Sequence, residues 1–117
     1  MTYLTLELPL PPSVNSYWGF HGHRRFLTPK ANEFKAEVAR IVNLQTIKFG
    51  SARLCLTATF SFPTKRVSDI SNRIKALEDA LVQAGLMDDD SQIDQLHVYR
   101  GAIYKGGKTL LEINVIE

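Results

Sequence analysis

The chain has 117 residues, 44% hydrophobic and 22% charged, with a net charge of +2 at neutral pH. That length suits one domain, spanning 1–117, and is too short for two, and the composition is that of an ordinary soluble globular protein with no apolar run near the ~20 residues a bilayer span needs. The opening "MTYLTLELPLPP" lacks a basic start and a cleavage site, so no signal peptide is expected; the lone Cys55 excludes an internal disulfide and fits a reducing cytoplasm.

"TYLTLELP" alternates, setting Tyr3, Thr5 and Glu7 opposite Leu4, Leu6 and Leu8, and predicts an opening strand ended by "PLPP". The following "PPSVNSYWGFHGHRRFLTP" has no period and is predicted to be a long loop, a feature that in compact domains is usually functional or disordered. In it Tyr17, Trp18, Phe20 and Phe26 interleave with His21, His23, Arg24 and Arg25. Rings of this kind either anchor the loop on the core or stack on exposed bases, while Arg24 and Arg25 are candidates for DNA-backbone contact. "HGH" without a cysteine or a third nearby ligand is a poor zinc site.

Thr28 and Pro29 supply an N-cap and an N1 proline for a first helix reaching about Thr46, with Phe34, Val38, Ile41 and Val42 as its apolar stripe. "RLCLTATFSF" is a strand with Leu54, Leu56, Ala58, Phe60 and Phe62 on one face and Cys55 as a small apolar residue within it. A second helix follows, closed by Gly85 as its C′ residue. Two last strands, near 93–104 and 108–116, meet at the turn "KGGK"; His97 in the first of them is expected to be a satisfied structural histidine. The order is β-α-β-α-β-β: an α+β fold with two helices packed on a mostly antiparallel four-stranded sheet.

The chemistry concentrates at "SDISNRIKALEDALVQAGLMDDDSQ". Ile70, Ile74, Ala76, Leu77, Leu81 and Ala84 form the core side of the second helix, and Asp69, Asn72, Lys75 and Asp79 fall on another stripe at spacings of three or four. A polar stripe is the default for a surface helix, and Asp69 alone reads equally as an N-cap. The run Asp88, Asp89, Asp90 shifts the balance, because adjacent acids repel and a turn needs only one. Hard divalent ions take a few carboxylate oxygens and complete their shell with water. A lysine nearby can neutralise charge developing on a phosphate. A helix of some 15 residues is roughly 22 Å long, so Asp69 and Asp90 meet only if the chain doubles back or a second subunit contributes.

The chain resembles the RusA-type Holliday junction resolvases, small endonucleases of bacteria and their phages. "LPLPPSVNSYW" is similar to the family's strand and proline pair. "DISNRIKALEDAL" is similar to its D-x-D-N-x-x-K-x-x-x-D-x-L segment and "AGLMDDDSQI" to its G-x-x-x-D-D-x-Q segment. "KGGKTLLEINV" looks like its final hairpin. The resemblance implies a homodimeric, Mg²⁺-dependent (Mn²⁺ as substitute) endonuclease of the bacterial cytoplasm that nicks four-way DNA junctions in pairs. It implies Asp69 and Asp90 as catalytic metal ligands, Lys75 as the catalytic lysine, and supporting roles for Asn72, Asp79, Asp89 and Gln92. Ser71 stands where the family has its second Asp; a hydroxyl orients a metal-bound water but brings no charge, and Asp88, Asp89 or Glu78 are the acids available to compensate. Ser71 and Asp89 therefore join the candidate metal set, and a branched-DNA-binding protein with weakened catalysis is the alternative. Basic residues in loops, Lys65, Arg66, Lys105 and Lys108, with Asn72, complete the candidate DNA contacts. An interaction protein with no DNA partner, using its acidic turn, is the reading from another class.

Overall fold

A computed structural model of the protein describes residues 3–66 and 68–117. Eight regular elements follow in chain order: β1 (Tyr3–Leu8), β2 (Trp18–His21), β3 (Arg24–Leu27), α1 (Pro29–Asn43), β4 (Leu54–Ser61), α2 (Ile74–Gln83), β5 (Ile93–Arg100) and β6 (Lys108–Val115). Four strands make one sheet in the order β1-β6-β4-β5, and β2 and β3 form a separate antiparallel hairpin. The expected α+β fold with a mostly antiparallel four-stranded sheet is what the chain adopts.

The period-two patterns place the core. Leu4, Leu6 and Leu8 of β1, Leu54, Leu56, Ala58 and Phe60 of β4, and Leu111 and Ile113 of β6 share one buried face. Onto it pack Phe34, Val38 and Val42 from α1 and Leu77, Ala80 and Leu81 from α2. Thr28 caps α1, its Oγ1 accepting from the Ala31 amide at 3.3 Å, with Pro29 as the first helical residue. The helix stops at Asn43, short of Thr46.

Two expectations are corrected. The stretch after β1 is not wholly irregular. Trp18 to Leu27 fold into the β2–β3 hairpin, turning at Gly22 with φ +62°. A four-residue strand is too short to betray a period, which is why alternation did not reveal it. The last two strands, moreover, do not form a hairpin with each other. β5 runs parallel to β4 through the α2 crossover, as parallel neighbours require, and β6 inserts antiparallel between β1 and β4. The reason lies in side-chain pattern. β6 alternates buried and open, with Thr109, Leu111 and Ile113 inside, and belongs in the middle of the sheet. β5 keeps Leu96 and Tyr99 exposed and takes the edge. His97, expected to be a satisfied structural histidine, is exposed on that edge strand. Cys55 is half-buried. No helix among the described residues is long and apolar enough to cross a membrane.

Candidate active site

α2 begins with a 3-10 turn, Ser71–Arg73, and ends in a chain reversal. Gly85, at φ +83°, lets the Leu86 amide donate to the Leu81 carbonyl at 3.1 Å and its own amide donate to Val82 at 3.0 Å. This six-to-one link is the Schellman termination, in which glycine alone takes the left-handed position without strain. Leu86 and Met87 are then buried, and the acidic run is folded back along α2.

The three aspartates divide the work. Asp88 is exposed. Asp89 caps the short turn Asp90–Gln92, its carboxylate accepting from the Ser91 amide at 2.9 Å, and hydrogen bonding from the Ser91 side chain and then from its amide holds the carboxyl below the usual carboxylate range. Asp90 turns to α2 and accepts from Lys75 Nζ at 3.0 Å. Gln92 fixes the turn. Its buried amide oxygen accepts from the Asp88 and Asp89 amides at 2.9 and 2.8 Å, and its nitrogen donates to the Gly50 and Ala52 carbonyls, both at 2.8 Å.

Lys75 Nζ also lies 3.2 Å from Asp79 Oδ1, so one ammonium bridges two carboxylates. Hydrogen bonds to Asp90 and then Asp79 hold that lysine well above its ordinary range, and it stays charged throughout the neutral region. Asp79 in turn accepts from the Tyr17 hydroxyl at 3.3 Å. Burial, with the Asp79 charge adding, pushes the Tyr17 phenol up to about 12, so it is a donor here and not a base.

Half-buried Glu78 sits beside this group, its carboxyl raised first by burial and then by the charge of Asp90. An acid with a raised folded-state value adds stability below its unfolded value and loses it as pH rises through the folded one. Glu78→Gln is therefore expected to raise the melting temperature near neutral pH. The gain should vanish toward about pH 4, where the wild-type carboxyl is protonated in both states. Thermal scans across pH check this.

Among the described residues Asp69 makes no hydrogen bond or ion pair with the lysine group. It caps neither turn nor helix, and its Oδ2 accepts from Asn72 Nδ2 at 3.2 Å. The expected stripe is thus realised as two pairs, Asp69 with Asn72 and Lys75 with Asp79. Ser71 is exposed between them. Among the described residues no three His, Cys, Asp or Glu side chains form a metal-binding group. Mg²⁺ does not need one: it binds through one or two carboxylates and keeps water and substrate oxygens for the rest. The residues that would hold it fit such an ion: Asp69 is exposed, the Asp90 side chain is 34% exposed, and both offer hard carboxylate oxygens.

Of the expected DNA contacts, Arg24 and Arg25 stand exposed on β3, with the Arg25 guanidinium 3.9 Å above the Trp18 ring. Lys105 is exposed in the turn before Gly106. Lys108 is half-buried, 3.7 Å from Glu7 and over the Tyr104 ring. Lys65 and Arg66 line a groove of about 360 Å³ together with Arg100 and Phe62, and among the described residues no acid lines it. Sequence reasoning missed Arg73 and Arg100. Both guanidiniums lie over the Phe62 ring, at 5.2 and 4.9 Å, and both hold Ser68, the neighbour of Asp69, through bonds of 3.0 and 2.5 Å. Arg73 also donates to the Pro11 carbonyl at 2.7 Å. The only signal available for them was their basicity. Of the four aromatics in the early loop, Tyr17 is buried, Trp18 packs beside it, and Phe20 and Phe26 remain exposed.

Residues 9–116 match the family described as Endodeoxyribonuclease RusA, a family of DNA endonucleases, and the chain belongs to it. Among its relatives is the crossover junction endodeoxyribonuclease rusA of Enterobacteria phage HK97, 33% identical over 94% of this chain and 92% of the relative. The RusA protein of Escherichia coli K12, of the same name, is 30% identical over 100% of this chain and 97% of its own. That of Enterobacteria phage 82 is 31% identical over 96% and 92%.

Proposed function

We propose that this protein is a structure-selective endodeoxyribonuclease that resolves four-way (Holliday) junctions by paired, Mg²⁺-dependent cuts, with Mn²⁺ as substitute. It acts as a soluble homodimer in the bacterial cytoplasm. The observation that carries the reading is Lys75 bridging Asp90 and Asp79 in a chain of the RusA family. A two-fold dimer suits the task, because one site per subunit then meets two equivalent strands.

Asp69 and Asp90 would hold the ion, Ser71 would orient water beside it, and Asp89 fixes the turn that presents Asp90. The bound ion supplies Lewis acidity toward the scissile phosphate and an acidified water. Lys75, always charged, offers its ammonium to the phosphate oxygens as negative charge develops there. Arg24, Arg25, Lys65, Arg66, Asn72, Lys105 and Lys108 bind the phosphate backbone of the arms, which makes affinity fall with salt.

The test is cleavage of a synthetic four-way junction with Mg²⁺ titrated from zero. Symmetric nicks on the junction and none on a linear duplex are expected. Ser71→Asp, which restores the charge a third acid would bring, is expected to lower the Mg²⁺ concentration required by about tenfold or more, since even altering a group that only supports a metal ligand changes affinity by on the order of 10–100-fold. Tight junction binding with every strand intact in both Mg²⁺ and Mn²⁺ would replace this reading with that of a branched-DNA-binding protein. Binding indifferent to salt between about 50 and 200 mM would remove DNA as the partner altogether.

A further inference from the structure

Ser68 is gripped from two sides. β4 and β5 run parallel with Phe60 level with Arg100, so the Arg100 side chain meets the chain as it leaves β4. Its guanidinium covers the Phe62 ring at 4.9 Å, and its Nη2 donates to the Ser68 carbonyl at 2.5 Å. Arg73 comes from the 3-10 turn that opens α2. It covers the same ring at 5.2 Å, donates through Nη2 to the Ser68 hydroxyl at 3.0 Å, and is anchored through Nη1 to the Pro11 carbonyl at 2.7 Å.

Stability alone does not account for this pairing. Among the described residues neither guanidinium has a carboxylate partner, and two like charges share one ring. Arg73 Nε is buried and finds no acceptor among the described residues, and burial pulls that guanidinium below its ordinary range. A half-buried charge and an unsatisfied N–H both cost free energy. What the two arginines fix is a peptide unit. The Ser68 carbonyl and the Asp69 amide share one plane, so a hold on that oxygen sets where the Asp69 backbone begins. The Asp69 side chain itself is exposed and accepts from Asn72, at 3.2 Å.

We infer that Arg73 and Arg100 are positioning residues, which hold Ser68 and thereby fix the Asp69 carboxylate for the divalent ion. The inference rests on the nuclease reading above, which makes Asp69 a ligand of that ion. A ligand ordered before the ion arrives loses less freedom on binding, so the ion is taken up at lower concentration. Neither arginine has to touch ion or substrate for this.

Ser68→Ala is the decisive substitution, because it removes the hydroxyl that Arg73 holds and keeps both positive charges. Arg73→Met and Arg100→Met keep an apolar stem on Phe62 and lose the donors, whereas Arg100→Lys keeps a charged donor. Mn²⁺ uptake by the protein without DNA is followed through the paramagnetic resonance signal of the free ion. Ser68→Ala, Arg73→Met and Arg100→Met are expected to bind Mn²⁺ about tenfold more weakly than wild type, the effect of losing a group that supports a metal ligand. Arg100→Lys should recover part of the loss. Ser68→Ala added to Arg73→Met should weaken binding no further, since the two share one bond. In junction cleavage the same variants should need about tenfold more Mg²⁺ yet approach the wild-type rate at saturation. Should loss of the Pro11 bond unfold Arg73→Met, Ser68→Ala carries the same test.

Metal-free junction binding across salt separates positioning from direct phosphate contact. Ser68→Ala should match wild type there, and the arginine variants should keep its salt slope. A slope lowered by about one in an arginine variant, with Mn²⁺ affinity unchanged, overturns the inference and makes that arginine a phosphate contact. Wild-type Mn²⁺ affinity in Ser68→Ala overturns it for Arg73, and in Arg100→Met for Arg100, while the nuclease stands. If wild type cuts no junction in any metal, the nuclease reading falls, and weakened Mn²⁺ binding by Ser68→Ala still upholds the positioning. Wild type that neither cuts nor binds Mn²⁺ overturns both.

Discussion

Asp90→Asn should reduce junction cleavage by on the order of 10²–10³-fold, the scale seen when one preorganised charged or polar group is removed from a site. The substitution keeps shape and loses charge, so metal affinity falls and Lys75 loses its first partner. It should not act through unfolding. The Asp90 and Lys75 side chains are 34% and 60% exposed, and ion pairs that wet contribute about 0–1 kcal/mol. Relief of Asp90 from the neighbouring Glu78 works in the opposite direction. A gel assay for nicking, run beside a mobility shift and a thermal scan, should therefore show lost cutting, retained binding and a melting temperature near that of wild type. Unchanged cutting would remove Asp90 from the chemistry.

The largest effect on stability is expected at Gln92. Its side chain is 4% exposed, and both ends of its amide are satisfied by backbone groups of two segments, the 50–52 turn and the acidic run. Gln92→Ala removes four hydrogen bonds and strands the Asp89 amide and the Ala52 carbonyl, while the Asp88 amide and the Gly50 carbonyl keep the bond between them. At about 1 kcal/mol per net hydrogen bond, and more where a buried partner stays unpaired, the cost is roughly 2–4 kcal/mol. For a domain of this size that lowers the melting temperature by roughly 10 °C. Gln92→Leu, nearly the same volume, should fare no better, which separates lost hydrogen bonds from a lost cavity filling. Below the transition, either variant should also cut more slowly than its folded fraction explains, because the turn presenting Asp90 is no longer pinned. Calorimetry and cleavage at low temperature test the two halves of this expectation.

What the sequence made legible were features whose cause is local. Alternation marks β1 and β4 because one face of each is buried, and Thr28–Pro29 and Gly85 mark helix ends because backbone geometry demands those residues there. The candidate reactive residues were found through residue type and order. What stayed hidden depends on distant partners. The alternation of β6 marks a strand with one buried face, but which strands flank it, β1 and β4, is decided by facing side chains elsewhere in the chain. Asp89 and Asp90 look identical in the run, and only the fold makes one a cap and the other the partner of Lys75. Gln92 looked merely supportive because its four partners lie on backbone atoms, which carry no residue-type signal. Arg73 and Arg100 were missed for a related reason: Phe62, the ring that brings them together, reads simply as core.

The reversal at Gly85 has a bearing on how the site assembles. Lys75 and Asp90 are 15 residues apart, whereas Tyr17 and Asp79 are separated by 62. Bringing the nearer pair together restricts the unfolded chain less, by roughly 1 kcal/mol on loop-closure scaling. The charged pair is thus knit by a short neighbourhood of chain, while the aromatic roof above it exists only once the two halves of the polypeptide have docked.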